Sequence, residues 1–159
     1  MLKPDSKYML LAIAEARKNL KTQKGGPFGA CIVRGNKVVA LARNTVLSCN
    51  DATCHAEVNA IRKASKKLKN YYLSGCVIYS TTEPCPMCFS AIHWSKLEAV
   101  YFGTAINDVK KLGFDELRIS CRRMKLCGRS QVKVVEGFMA KDCRELLRDW
   151  SKLGGRKVY

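Results

Sequence analysis

Residues Val77–Trp94 read VIYSTTEPCPMCFSAIHW. The run VIYST has the length and apolar content of a central strand, and the polar TTEP after it brings the run to an end. Beyond Pro84 the period changes, with Cys88, Ile92 and Leu97 returning at helical spacing. A strand therefore passes into a helix within a few residues, and two cysteines sit on the joint. Cys85 and Cys88, three positions apart on the opening turn, point to one side of the helix. Pro86 suits the first helical position, because the N–H it lacks has no partner there.

The same alternation extends outward in both directions. Upstream, Asp5 or Ser6 caps an amphipathic helix over residues 6–20 carrying Met9, Leu10, Ile13, Ala16 and Leu20, and Lys24-Gly25-Gly26-Pro27 ends it. FGACIV and KVVALA flank Arg34-Gly35-Asn36 and predict two strands joined by a tight turn. After a polar loop from Ser48 to Thr53, the residues Val58, Ile61, Ala64 and Leu68 predict a helix that starts close to His55. Downstream, AVYF from Ala99 and VKVV from Val132 predict strands, and Asp142 opens a last helix with Leu146, Leu147 and Trp150. Residues 107–131 are the least legible. Strands alternating with helices predict a layered α/β domain, and a length of 159 residues fits one such domain over 1–159.

Composition narrows the class. An apolar content of 47% is enough to enclose a core. No stretch approaches the roughly 20 apolar residues of a membrane span, and the apolar run from Met9 to Ala14 is broken by Glu15 and Arg17 with no cleavage site after it. Nine cysteines, an odd number with Cys31, Cys54 and Cys76 inside or beside apolar segments, indicate a reducing, cytoplasmic setting in which most thiols are packing residues. Twenty-nine basic against 13 acidic residues give a net charge of +16, a field that attracts polyanions and permits nucleic-acid binding. The plainer reading, a solvated surface, is preferred, since no basic stretch is interleaved with several aromatics.

The cysteine pair asks for a cation. Two thiolates are strong ligands for zinc, and the unpaired N–H groups of a helix start favour negative sulfur. A closed structural site takes four protein ligands, and the remaining cysteines offer Cys121 and Cys127, a poor pair with five residues between them. Of the two histidines, His55 stands at the other predicted helix start, in Cys54-His55-Ala56-Glu57. With His55, Cys85 and Cys88 as ligands, one corner of the tetrahedron stays open for water, which is the arrangement of a catalytic zinc. Glu57, two residues past a ligand, can reach that water without binding metal, as a proton shuttle. Each residue alone has a plainer role: His55 as a loop or capping histidine, the thiols as a buried pair, Glu57 as a charge at a helix N-terminus. Jointly they match His-x-Glu followed by Pro-Cys-x-x-Cys, the signature of zinc-dependent nucleobase deaminases. His93, beside Trp94, lacks such company and reads as a packing histidine.

On these residues the chain resembles the cytidine deaminase-like superfamily, and within it the bacterial guanine deaminases. The likeness runs through GGPFGACIV, ARN at Ala42–Asn44, NDATCHAEVNAIRKA, TEPCPMCFSAIHW, GFDE at Gly113 and the final Tyr159. It implies a three-layer α/β/α sandwich with a central mixed five-stranded sheet, one zinc per subunit, and conversion of guanine to xanthine with release of ammonia. It further implies that Asn44 and the backbone of Ala56 hydrogen-bond the purine, that Phe28 and Trp94 wall the ring, and that Asp115 accepts from its N–H groups. It also implies a homodimer in which the carboxyl-terminal segment is swapped to cap the partner's pocket, so that Tyr159 acts in trans. A flat ring does need an apolar slot with polar groups at its edge. The plainer roles are core packing for Phe28 and Trp94 and a helix cap for Asp115. Three departures from the pattern stand out, at Cys54, at Ala52 and at Phe89-Ser90, of which Cys54 bears on metal affinity or redox sensitivity.

Three other readings compete with a free-guanine enzyme. A transfer-RNA adenosine deaminase shares both motifs and accounts for the charge through phosphate contacts. Other small rings, such as cytosine, another aminopurine or an aminotriazine, fit the same chemistry. A zinc-stabilised RNA-binding module without catalysis would leave Glu57 dispensable.

Overall fold

The structure, a computed structural model, describes residues 3–159. Five strands form one sheet: β1 (Gly29–Arg34), β2 (Lys37–Arg43), β3 (Cys76–Thr82), β4 (Ala99–Thr104) and β5 (Lys133–Val135), in the order β2-β1-β3-β4-β5. β1 runs antiparallel to β2 and β3, while β3, β4 and β5 are parallel, so the sheet is mixed as expected. The β1–β2 hairpin turns at Gly35, whose φ of 57° is one that glycine adopts without strain.

Seven helices belong to the described residues: α1 (Ser6–Thr22), α2 (Val46–Cys49), α3 (Ala56–Leu68), α4 (Pro86–Trp94), α5 (Ile106–Lys110), α6 (Cys121–Gly128) and α7 (Ala140–Ser151). The two-residue period of the strands sorts the side chains between two layers. Ala30, Ile32, Ile78, Val100 and Phe102 pack with Ala56, Ala60, Phe89, Ile92 and Cys121, which places α3, α4 and α6 on one face. The alternate residues Cys31, Val33, Val77, Tyr79 and Tyr101 pack with Met9, Ala12, Ala16, Cys143 and Leu146, which places α1 and α7 on the other. The result is the expected α/β/α sandwich. Ile78 is fully buried in the first of these layers, and truncating it to alanine costs about 2–5 kcal/mol.

The elements depart from expectation at four places. The short α2 starts ahead of the polar loop expected over Ser48–Thr53 and takes in its first two residues. The last helix starts at Ala140, two residues before Asp142. α5 and α6 occupy the stretch 107–131 that resisted reading, with Ser120 capping α6 through a side-chain bond to the Arg123 N–H. The first helix runs two residues past 20, until Gln23 takes a left-handed conformation.

Candidate active site

Two helices begin where the sheet ends, and their capping positions are His55 for α3 and Cys85 for α4. Both residues are extended, with φ of −65° and −62°, and neither side chain caps its own helix. Their ring and thiol are thereby left free to meet. α3 approaches the sheet through the small residues Ala56, Ala60 and Ala64, all fully buried, while Lys63, Lys66 and Lys67 face outward. The close approach is what brings His55 against the β3–α4 joint.

The Nδ1 atom of His55 lies 3.6 Å from Cys85 Sγ and 3.5 Å from Cys88 Sγ, and all three atoms lie within 4.8 Å of one another. Zinc bonds of about 2.0–2.1 Å to nitrogen and about 2.3 Å to sulfur, at tetrahedral angles, require nitrogen–sulfur separations of about 3.6 Å. The donor set is therefore spaced for zinc. Without a metal the two thiols share one proton: the hydrogen bond from Cys88 lowers the Cys85 thiol to about 4, against the opposing effect of burial and with the help of His55, while the same bond and burial push Cys88 up. Burial alone pulls His55 down, yet its bond to Cys85 and the charge of Glu57 carry it up to about 9. Cys54 stays out of this group, with its Sγ 3.4 Å from Asp51 Oδ2 and 3.6 Å from Arg62 Nη1. His93 is likewise apart, its Nδ1 paired with Ser130 Oγ at 3.0 Å.

Glu57, on the first turn of α3, is 6% exposed. Burial raises its carboxyl above the usual range, against the attraction of His55. Ser80 extends the row of Ile78 toward the same layer, and its Oγ is 3.0 Å from Glu57 Oε1 and 2.7 Å from the Thr82 carbonyl. A hydroxyl so placed donates to the carboxylate, or accepts from the carboxylic acid while donating to Thr82, so it supports both charge states of Glu57.

Phe28, Asn44, Thr82, Glu83 and Glu116 complete the cleft around His55, Glu57 and Cys85. Asn44 is fully buried, and its Oδ1 accepts from the Val46 N–H at 3.0 Å and the Tyr159 hydroxyl at 2.6 Å. Its Nδ2 is a buried donor with no partner. A donor in that state costs free energy unless something fills it, which marks it as a group for a ligand's acceptor. The Asn44 backbone is pinned in turn by Asn19, whose Nδ2 donates to the carbonyls of Gly26 and Asn44, both at 2.8 Å. A Cβ on Gly25 would collide with the Asn44 backbone and amide, so only glycine fits there. Asn59 holds the far end of the loop, donating to the carbonyls of Arg43 and Cys54. Ala56 opens α3, where backbone N–H groups lack partners within the helix, and so offers a donor beside the ligand His55.

Two expected site residues, Asp115 and Trp94, are placed differently. Asp115 is exposed and meets the tail only through its backbone N–H, 3.2 Å from the Tyr159 carbonyl. The carboxylate facing the cleft is Glu116, because the extended chain after Gly113 alternates: Phe114 in, Asp115 out, Glu116 in. Trp94 is 74% exposed and lines a separate depression with Phe89, Ser90 and Met124. Six residues beyond Cys88, at about 100° per residue, it lies on another face of α4. Tyr159 reaches the pocket of its own chain: its hydroxyl bonds Gly26 N–H at 3.1 Å as well as Asn44, and its ring packs on Phe114. Phe28 packs edge-on against the same Phe114.

Comparison with known proteins agrees with this geometry. The pattern of the cytidine and deoxycytidylate deaminase zinc-binding region matches residues 2–104. The chain belongs to this deaminase family. It is 42% identical over 109 residues to a guanine deaminase of Bacillus subtilis, covering 69% of this chain and 70% of the relative. It is 33% identical over 151 residues to a tRNA-specific adenosine deaminase of Buchnera aphidicola, covering 93% and 94%. A solved guanine deaminase of Nitrosomonas europaea superposes with a TM-score of 0.86 at 26% identity, over 96% of this chain and 87% of its own. This deaminase is a zinc-dependent hydrolytic enzyme, and its His55, Cys85 and Cys88 form a group that could hold the zinc. Among its described residues no helix is long and apolar enough to cross a membrane.

Sequence reading missed Glu116, Asn19, Asn59 and Ser80. Asn19 carried a signal, since it occupies a buried position on the otherwise apolar face formed by Met9, Ala12 and Ala16.

Proposed function

We propose that the enzyme deaminates a free purine base, guanine to xanthine, with water as co-substrate and ammonia as product. The observation that carries this reading is how little room the cleft leaves, with Tyr159 anchored on its Asn44. The tyrosine hydroxyl is bonded to Asn44 inside the pocket, and the free space left there, about 10 Å³, has room for about one water molecule. A flat base is enclosed when Tyr159 or the segment carrying Glu116 closes behind it. A flipped nucleotide instead needs an open path for its sugar and phosphates.

Within the cleft the ring lies against Phe28, and Asn44 Nδ2 donates to an acceptor on its edge. Glu116, pushed up to about 7 chiefly by burial, accepts from a ring or exocyclic N–H when ionised. Zinc, when bound, makes water acidic enough to act as a nucleophile near neutral pH. Glu57 takes up a proton as attack begins and returns it to the ring nitrogen beside the attacked carbon. A second transfer through Glu57 then lets the amine leave as ammonia.

The alternative, adenosine-to-inosine conversion in transfer RNA, is favoured by the Buchnera relative and by the net charge of +16. Incubation with guanine, adenine, cytosine and transfer RNA separately, measuring ammonia and identifying products, decides between them. Xanthine as the sole product supports the proposal, and inosine in RNA overturns it. The expected homodimer belongs to the same proposal: a second copy would cover the exposed Trp94 and Leu126, and exchanged tails would make the Tyr159–Asn44 contact in trans.

A further inference from the structure

Glu83 has no task in the chemistry above, yet it is only 8% exposed and stands two residues before Cys85. Its Oε1 accepts the backbone N–H of Cys121 at 2.9 Å, and its Oε2 accepts that of Ile106 at 3.1 Å. Ile106 and Cys121 are the first residues of α5 and α6, and between them runs the segment that carries Phe114 and Glu116. The Glu83 N–H itself is bonded to the Thr104 carbonyl at 2.7 Å, which ties the residue to the end of β4. One carboxylate thus fastens both ends of the segment to each other and to the joint that holds Cys85. A depression between the two ends is lined by Glu83 together with Ala105, Ile106, Asn107, Arg118 and Ser120.

We propose that Glu83 is a positioning residue that clips the two ends of segment 106–121, so that opening of the cleft is confined to the middle of the segment and Glu116 returns to one place. The clip matters because the closed cleft has space for about one water, and a ring enters only when the segment or the tail moves away. Both bonds are charge-assisted, and both N–H groups belong to helix starts, where a negative charge is favoured. Glutamine offers one oxygen and one NH2 group. Glu83→Gln therefore leaves one of the two backbone donors facing another donor. The inference rests on reading Phe114 and Glu116 as walls of the pocket, but its main test needs no substrate.

The test is hydrogen–deuterium exchange, read by mass spectrometry, on zinc-loaded wild type and Glu83→Gln. Loss of one charge-assisted bond makes peptides spanning 106–121 exchange about tenfold faster or more, while peptides from β1 and α3 keep their rates and zinc stays at one per chain. Steady-state rates with guanine show KM rising by a larger factor than kcat falls, since the walls of the pocket are loosened and Glu57 is untouched. Unchanged exchange in 106–121 overturns the proposal. Zinc loss without faster exchange there overturns it too, by making Glu83 a support of the metal loop alone. Should Glu83→Gln fail to fold, Glu83→Asp, which keeps both acceptors on a shorter stem, is read by the same criteria. A wild type that releases no ammonia from guanine removes the proposed substrate, while the exchange result still decides the role of Glu83.

Discussion

Tyr159→Phe removes one oxygen atom and leaves the ring in place against Phe114, with centroids 5.4 Å apart. Two hydrogen bonds disappear: the one accepted from Gly26 N–H and the one donated to Asn44 Oδ1. Gly26 is buried, so its N–H is left unpaired at a cost of about 1–3 kcal/mol, whereas Asn44 Oδ1 keeps the Val46 N–H. Thermal unfolding should fall by about 5 °C for a chain of this size. The Asn44 amide, held from one side only, aims its Nδ2 less well, and KM for guanine should rise about tenfold, about 1.4 kcal/mol, with kcat changed little. Initial rates of ammonia release over a range of guanine concentrations, for wild type, Tyr159→Phe, Asn44→Ala and the double variant, close a cycle. The two changes should be non-additive by about 1–2 kcal/mol, because each removes the same contact. Additivity within about 0.5 kcal/mol would refute the claim that Tyr159 acts through Asn44.

Further outcomes follow from the same geometry. Glu57→Gln keeps the shape beside Ser80 and should retain zinc and the fold, while kcat falls by about 10²–10⁴; equal ammonia release from variant and wild type would exclude the shuttle. Chelation should lower the melting temperature by about 5–10 °C at zinc levels that had been about a hundredfold above Kd, restored by added zinc, as scanning calorimetry can follow. In the chelated protein, Glu116 has its carboxyl raised from 4.5 to about 7, so the stability it contributes is full below about pH 4.5 and lost as the pH rises through 7. Glu116→Gln should therefore melt like wild type at pH 4 and a few degrees higher at pH 8, with about 1–2 kcal/mol left after solvent screening; identical melting at both would contradict the assigned environment. Trp94→Ala should change kcat/KM by less than about threefold, as expected of an exposed side chain. A larger loss would put Trp94 against the ring of a second copy's pocket.

Much of the molecule was legible because its signals are local. VIYST followed by PCPMC announces a strand-to-helix joint, and His55 at a second helix start needs only sequence spacing to be noticed. The zinc distances then follow from how closely Ala56, Ala60 and Ala64 let α3 approach the sheet. Residues 107–131 were opaque for the opposite reason. α5 and α6 are five and eight residues long, and α5 opens on the distant carboxylate of Glu83 as well as on its own Asp108, which accepts the Ala105 N–H. The exchange of Asp115 for Glu116 has the same origin, since nothing before the fold is known says which of two adjacent carboxylates follows Phe114 inward. Trp94 misled because a tryptophan near a metal motif reads as a pocket wall, whereas six residues beyond Cys88 the helix has turned it to another face.

The nine thiols differ in reach. Seven are buried, including both zinc ligands, and only Cys49 and Cys127 are exposed. Cys49 ends α2 on the loop between Asn44 and His55, and Cys127 lies on α6, just beyond the segment fastened by Glu83. Maleimide dyes or nitroxide spin labels should thus attach at these two sites without disturbing the metal. The unmodified sequence already carries a pair of reporters for measuring how the asparagine loop and α6 move apart during turnover.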